Sequence, residues 1–255
     1  MKILIPRHDY DAIANKLEGK HPAPSHIDRI ITRSTKVITQ ERALIAVYLP
    51  HRIEPRLREA AYDVCRAAAR DRVDNRSTAA GAPSLPRIRK DGRLSNRRAV
   101  PARVLKVLDR RGVRQGTLRI STHRKELEKT APLLKRVRHL FKRYLNESYR
   151  VQRTAAKNSR DRIPRTPFTV IHVNKNLRSA YHRDEGNLLH TLSVITVLGG
   201  DYKGGALCFP RYRIAFALRP GDVLFFAGRE LLHGNLSITG TRLSAICYCE
   251  RLSDE

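Results

Sequence analysis

His182-Arg183-Asp184, followed by His233 and then by Arg242-Leu243-Ser244, gathers in the last third of the chain the residue types that hold a transition metal and a carboxylate. Two imidazoles and one carboxylate form the facial set that leaves open positions on a non-haem Fe(II) ion, a site for oxygen chemistry. In an extended strand residues i and i+2 share a face, so His182 and Asp184 reach one ion while Arg183 points away. The third ligand must come from a distant strand folded over the first, and His233, within Glu230-Leu231-Leu232-His233-Gly234-Asn235, is placed to supply it. A guanidinium binds a carboxylate through two parallel hydrogen bonds and a serine hydroxyl adds one more. Arg242 and Ser244, again two apart, would grip the distal carboxylate of 2-oxoglutarate.

Each piece alone arises by chance; the order His-x-Asp, His, Arg-x-Ser within an alternating strand pattern carries the reading. A His-Arg-Asp triplet also opens the catalytic loop of protein kinases. No Gly-rich loop or Asp-Phe-Gly accompanies it here, and the asparagine falls three positions after the aspartate instead of at the catalytic-loop spacing.

Elements that position these residues are read from periodicity. Strands are predicted at about 168–174, 190–198, 206–209, 213–218, 222–227, 231–237 and 242–250, with turns at Gly199-Gly200, Gly204-Gly205, Pro210, Pro220-Gly221 and Gly240. Many short antiparallel strands make a jelly roll, two sheets facing across a pocket. Upstream, a short strand precedes a helix through Tyr10–Leu17, and Ile30–Tyr48 holds one or two strands broken at Ser34-Thr35. Glu54–Arg70 reads as helix, with Leu57, Ala60, Ala61, Val64 and Ala68 at three- and four-residue steps and Pro55 in the first turn. Asp71–Asn96 reads as a flexible loop. A further helix is capped by Thr130, takes Pro132 in its first turn, and buries Leu133, Leu134, Val137, Leu140, Phe141 and Leu145 while Lys135, Arg136, Arg138, Lys142 and Arg143 stay outside.

Composition divides the 255 residues in two. Lysine and arginine number 51 against 24 acidic residues, a net charge of +27. From Thr166 onward the count is 10 basic against 8 acidic, whereas the first 165 residues hold 41 against 16. The reading is a basic, helix-rich region over 1–165 that supports the core and binds nucleic acid, and an oxygenase core over 166–255. Arginine outnumbers lysine by 38 to 13, which favours planar contacts with phosphate. No segment approaches the ~20 apolar residues of a membrane span, and Arg7, His8 and Asp9 interrupt the first apolar run too early for a secretion signal. Cys65, Cys208, Cys247 and Cys249 form no Cys-x-x-Cys pair, so they are expected to be reduced in an intracellular protein, nuclear in a eukaryote and cytoplasmic otherwise.

With those residues quoted, the stretch Phe168 to Arg251 resembles the double-stranded β-helix core of Fe(II)/2-oxoglutarate dioxygenases, and within them the TET/JBP family in its short fungal and viral or phage forms. The fold implied is α+β, a jelly-roll oxygenase core with supporting N-terminal helices. The carrying residues are Phe168-Thr169-Val170-Ile171-His172-Val173-Asn174, His182-Arg183-Asp184-Glu185-Gly186-Asn187, Gly204-Gly205-Ala206-Leu207-Cys208-Phe209-Pro210, Arg219-Pro220-Gly221-Asp222-Val223-Leu224-Phe225-Phe226 and the Arg-x-Ser strand. The resemblance implies Fe(II) held by His182, Asp184 and His233, 2-oxoglutarate held by Arg242 and Ser244, and O2 as oxidant. It also implies a target base hydrogen-bonded by Asn187 and stacked on Tyr248. Gly186 and Glu250 depart from the family, which carries histidine at these positions in some members; a carboxylate at 250 accepts from a cytosine amine or is a surface residue. Collagen-type prolyl hydroxylases share the Gly-Gly-x-Leu and Pro-Gly-Asp segments but use lysine in place of Arg242. AlkB-type enzymes carry a second arginine where Tyr248 stands.

The function expected from these readings is oxidation of the methyl group of 5-methylcytosine in double-stranded, methylated DNA. Thymine, an RNA base or a protein side chain stay open as substrates of the same core, and a non-enzymatic nucleic-acid-binding β-sandwich is the third class.

Overall fold

A computed structural model of the chain describes residues 2–5, 16–39, 43–72, 85–88, 94–99 and 112–250. Two sheets face one another. The larger has nine strands: β1 (Lys2–Ile5), β3 (Thr35–Thr39), β4 (Leu44–Leu49), β14 (Val223–Phe226), β10 (Ser193–Gly199), β17 (Leu243–Tyr248), β9 (Val170–Lys175), β8 (Arg114–Arg119) and β5 (Asp71–Arg72), in that spatial order. The smaller runs β15 (Gly234–Asn235), β12 (Leu207–Phe209), β13 (Ile214–Phe216) and β2 (Arg29–Ile31). β11 (Tyr202–Gly204) pairs with β16 (Ile238–Gly240), and β6 (Leu85–Ile88) with β7 (Leu94–Ala99), as separate ribbons. Among the described residues three α-helices flank the sheets: α1 (Pro55–Ala68), α2 (Arg124–Tyr144) and α3 (Asn146–Ala156). This is the jelly roll with flanking helices that the alternating pattern predicts.

Period-two alternation sorts the large sheet into two faces. One face sends Val47, Leu118, Ile171, Val173, Val194, Phe225, Ala245 and Cys247 into a core shared with Leu133, Leu134, Val137 and Phe141 of α2 and Ala61 and Cys65 of α1. The other face sends Tyr48, Ile195, Leu224 and Phe226 toward Leu207, Phe209, Ile214 and Phe216 of the small sheet. Close approach of helix to sheet depends on one glycine, since a Cβ on Gly116 in β8 would collide with the Ala68 carbonyl at the end of α1.

Each strand expected after Phe168 is present within a few residues of its predicted bounds. The division at residue 165 does not interrupt the sheet, because β4 is hydrogen-bonded to β14 and β8 to β9. Upstream sequence therefore completes the large sheet at both of its ends. α2 begins at Arg124, six residues before Thr130, which lies buried in mid-helix with its hydroxyl donating to the Leu127 carbonyl at 2.8 Å. Within the span read as a loop, β5, β6 and the start of β7 account for 71–72, 85–88 and 94–96, β7 running on to Ala99; its other residues, and 10–15 of the helix expected at Tyr10–Leu17, lie outside the described residues. Among the described residues no helix is long and apolar enough to cross a membrane, and all four cysteines are buried.

Candidate metal centre and its cavity

A short antiparallel bridge brings the two histidines side by side: His182 N–H donates to the His233 carbonyl at 2.9 Å and His233 N–H to that of His182 at 3.0 Å. Their rings lie 4.5 Å apart, centre to centre. In each, Nδ1 sits 2.8 Å from a carbonyl two residues earlier, Ala180 for His182 and Leu231 for His233. A carbonyl only accepts, so Nδ1 carries the hydrogen and the Nε2 lone pair is turned outward. Both Nε2 atoms face one oxygen, Asp184 Oδ1, at 3.5 Å and 3.7 Å. The three ligand atoms lie within 4.8 Å of one another, a spacing that one metal ion can span.

The second carboxylate oxygen is held from behind. Ser193 Oγ donates to Asp184 Oδ2 at 3.3 Å, and Asn187 Nδ2 approaches it at 3.4 Å while donating to Ser193 Oγ at 2.7 Å. Burial alone would raise the Asp184 carboxyl, but His233, His182 and the serine hydroxyl outweigh it and hold the group at about 2. Burial pushes His233 down to about 4; it also opposes the charged form of His182, but the Asp184 carboxylate outweighs it there and raises that group. A metal ion, which binds imidazole in its neutral form, would displace any proton His182 shares with Asp184.

Asn235, two residues beyond His233 in β15, ties the two ligand segments together. Its Oδ1 accepts from Ser179 N at 2.8 Å and its Nδ2 donates to Leu177 O at 3.2 Å, fastening the segment before His182 to β15.

The triad opens into a cavity of about 470 Å³ that also takes in Arg242, Ser244, Asn187 and Tyr248. Arg242 is 5% exposed. Its Nη1 donates to the Gly205 carbonyl at 2.9 Å, its Nε has no partner, and no carboxylate pairs with it among the described residues. Burial lowers its affinity for its proton. A buried guanidinium without an anion is costly, and a carboxylate entering the cavity would satisfy it. The residues present thus fit a metal and an anionic co-substrate together.

Beyond Ser244 and Tyr248, sequence reasoning assigned no role to the wall opposite the small sheet. Three rows of side chains cross β8, β9 and β17 in register: Gln115, Asn174 and Ser244; Thr117, His172 and Ile246; Arg119, Val170 and Tyr248. All but Val170 line the cavity. His172 is held by Gln115 and Thr117, each at 3.3 Å from a ring nitrogen, and burial depresses its protonation. The available signal was the alternation in Gln115-Gly116-Thr117-Leu118-Arg119, which matches that of Ile171-His172-Val173-Asn174.

Two of the expected base contacts are engaged otherwise. Asn187 is 3% exposed and spends its amide hydrogens on Ser193 and Asp184. Glu250 is no free acceptor, because Arg119 donates to both of its oxygens, Nη1 to Oε2 and Nη2 to Oε1, the latter at 2.8 Å. Arg119, not Glu250, belongs to the cavity wall.

Residues 110–251 match the model of Tet_JBP, described as the oxygenase domain of the 2OGFeDO superfamily. The bifunctional helicase and thymine dioxygenase JBP2 of Leishmania infantum is 35% identical over 127 residues, 48% of this chain and 11% of that protein. Thymine dioxygenase JBP1 of Trypanosoma brucei brucei is 31% identical over 133 residues, 49% of this chain and 16% of that protein. The chain thus spans only a small part of the length of these relatives. In overall fold it is similar to NgTET1, solved in complex with 5mC DNA, with a TM-score of 0.60 at 14% identity over 98% of this chain and 82% of that one. With more than half of its length matched, the chain belongs to the Tet_JBP family of 2OGFeDO oxygenases, whose chemistry rests on Fe(II), 2-oxoglutarate and O2.

Proposed function

We propose that this chain is a dioxygenase that oxidises the C5 methyl group of a pyrimidine in DNA. The observation that carries the reading is the single cavity into which His182, Asp184, His233 and the Arg242 guanidinium, buried with no carboxylate beside it among the described residues, all open. His182, Asp184 and His233 would hold Fe(II); Arg242 and Ser244 would hold the distal carboxylate of 2-oxoglutarate. Bound there, Fe(II) with 2-oxoglutarate and O2 supplies the oxidising power to hydroxylate a methyl group. The chain's own residues do the rest. Ala180 and Leu231 carbonyls fix the imidazoles, Ser193 and Asn187 steady Asp184, and Ile195, Leu207, Phe226 and Ile246 keep part of the cavity apolar.

A methyl group inside a duplex cannot reach such a cavity, so the nucleotide must be extruded at a cost of a few kcal/mol. Stacking on Tyr248, worth roughly 1–3 kcal/mol per base, offsets much of that. The N-terminal arginines would hold phosphates without reading sequence. Both 5-methylcytosine and thymine carry the methyl group at C5. The family resemblance pointed to the former, but the relatives at 31% and 35% identity bear the name of thymine dioxygenases, so thymine is the first substrate to try.

The test is incubation with Fe(II), 2-oxoglutarate, O2 and duplex DNA, followed by nucleoside mass spectrometry, with RNA and peptide substrates in parallel. A 5-hydroxymethylpyrimidine formed with matching succinate, and absent with Asp184→Asn, is the expected result. Oxidation of RNA or peptide with DNA untouched would overturn the proposal.

A further inference from the structure

We propose that the Arg119–Glu250 ion pair selects the pyrimidine, admitting thymine in preference to 5-methylcytosine; the proposal rests on the function just given. Arg119 stands at the end of β8 and Tyr248 at the end of β17, both in register with Val170 of β9, so the guanidinium and the phenol occupy one row of the cavity-facing sheet. Glu250 follows Tyr248 by two residues and is tied back by a bridge to Asn187. The base-stacking candidate is thus flanked by an arginine and a carboxylate that are bound to each other.

That pairing decides what the wall offers a base. A guanidinium has five N–H donors and no acceptor. Glu250 takes one hydrogen from each Nη, leaving three donors on the residue that lines the cavity. Both carboxylate oxygens are committed, and their charge cancels that of Arg119, so the wall is neutral overall and rich in donors. Thymine presents O4 as an acceptor where cytosine presents the hydrogens of its N4 amine. A donor facing O4 forms a hydrogen bond; a donor facing an amine leaves both groups unpaired. One good match of this kind is worth roughly tenfold or more in discrimination.

A purely mechanical strut between β8 and the end of β17 would show the same ion pair, and binding separates the two roles. Duplexes are prepared with deoxyuridine replacing every thymidine, so that the single methylated pyrimidine is one thymine or one 5-methylcytosine, placed opposite an abasic site. Fluorescence anisotropy with the metal-free full chain reads affinity, and nucleoside mass spectrometry with Fe(II) and 2-oxoglutarate reads kcat/KM. The wild type is expected to favour thymine by about tenfold or more. In Arg119→Ala the thymine advantage should fall to near unity, and Arg119→Lys, which keeps the ion pair with fewer fixed donors, should restore part of it. An undiminished preference in folded Arg119→Ala, or a wild type that binds 5-methylcytosine as well as thymine, overturns the proposal. If neither base is oxidised while an Arg119-dependent thymine preference persists in binding, the proposed reaction fails and the selection stands.

Discussion

Behind the Asp184 carboxylate the fold leaves no room for even one methyl group. A Cβ on Gly228 would overlap Asp184 Oδ2 and Ser193 Oγ, and the Gly228 carbonyl accepts the Asp184 N–H at 2.9 Å. Gly228→Ala should therefore swing the carboxylate out of line with the imidazoles. Because the second layer around metal ligands typically controls 10–100-fold in affinity, an anaerobic Fe(II) titration should show a loss of about that size with the circular dichroism spectrum unchanged. His182, Asp184, His233, Arg242 and Ser244 were legible in the sequence because metal and carboxylate chemistry each demand particular residue types at fixed spacing. Gly228 and Arg119 were not, since each draws its role from a neighbour far along the chain, and Ser193 was not, since an isolated serine nine residues after Asp184 carries no spacing signal; Arg119 and Glu250 meet only because β8 lies two strands from β17.

Among the elements, the turn into β14 carries the most concentrated polar support. The fully buried Asp222 accepts from Tyr48 Oη at 2.5 Å, His51 N at 2.8 Å and Arg219 N at 2.8 Å, joining β4 to the Arg219-Pro220-Gly221 turn. Gly221 in that turn has φ +90°, a backbone state that side chains resist. Asp222→Ala removes the acceptor of one buried hydroxyl and two part-buried N–H groups and should cost about 3 kcal/mol. A thermal melt should fall by roughly 6–12 °C. Strands after Phe168 could be read from alternation bounded by glycine and proline. α2 misled because Pro132 resembles a first-turn proline, yet Pro132 and Glu128 are both exposed, so the carbonyl that loses its helical partner can turn to water. The partners of the N-terminal strands were illegible: β4 meets β14 across most of the chain, and no local pattern encodes which edge a strand will join.

For the molecule as a whole, the basic residues fall on more than one surface. α2 packs on the face of the large sheet away from the cavity, and Lys135, Lys142 and Arg143 on its outer side are exposed, while Arg119 is beside the triad. Polyanion binding should be dominated by counterion release. If six or more phosphates are neutralised, affinity for duplex DNA should drop about a thousandfold between 50 and 200 mM salt; a nearly flat dependence would show that the charge serves another purpose. The charge imbalance between the two parts of the chain was plain from composition, but the face of the large sheet on which α2 lays its charge needed the structure.

The pairings of β4 with β14 and of β8 with β9 limit how the catalyst can be excised. A fragment cut at Thr166 would expose three raw backbone borders, since β13 also loses β2, and invite other copies to zip onto them. Even the stretch matched by the family model, beginning at residue 110, leaves two such borders bare. The portable unit of this oxygenase must therefore reach back at least to Arg29, and any larger protein that carries it has to bring those upstream strands along.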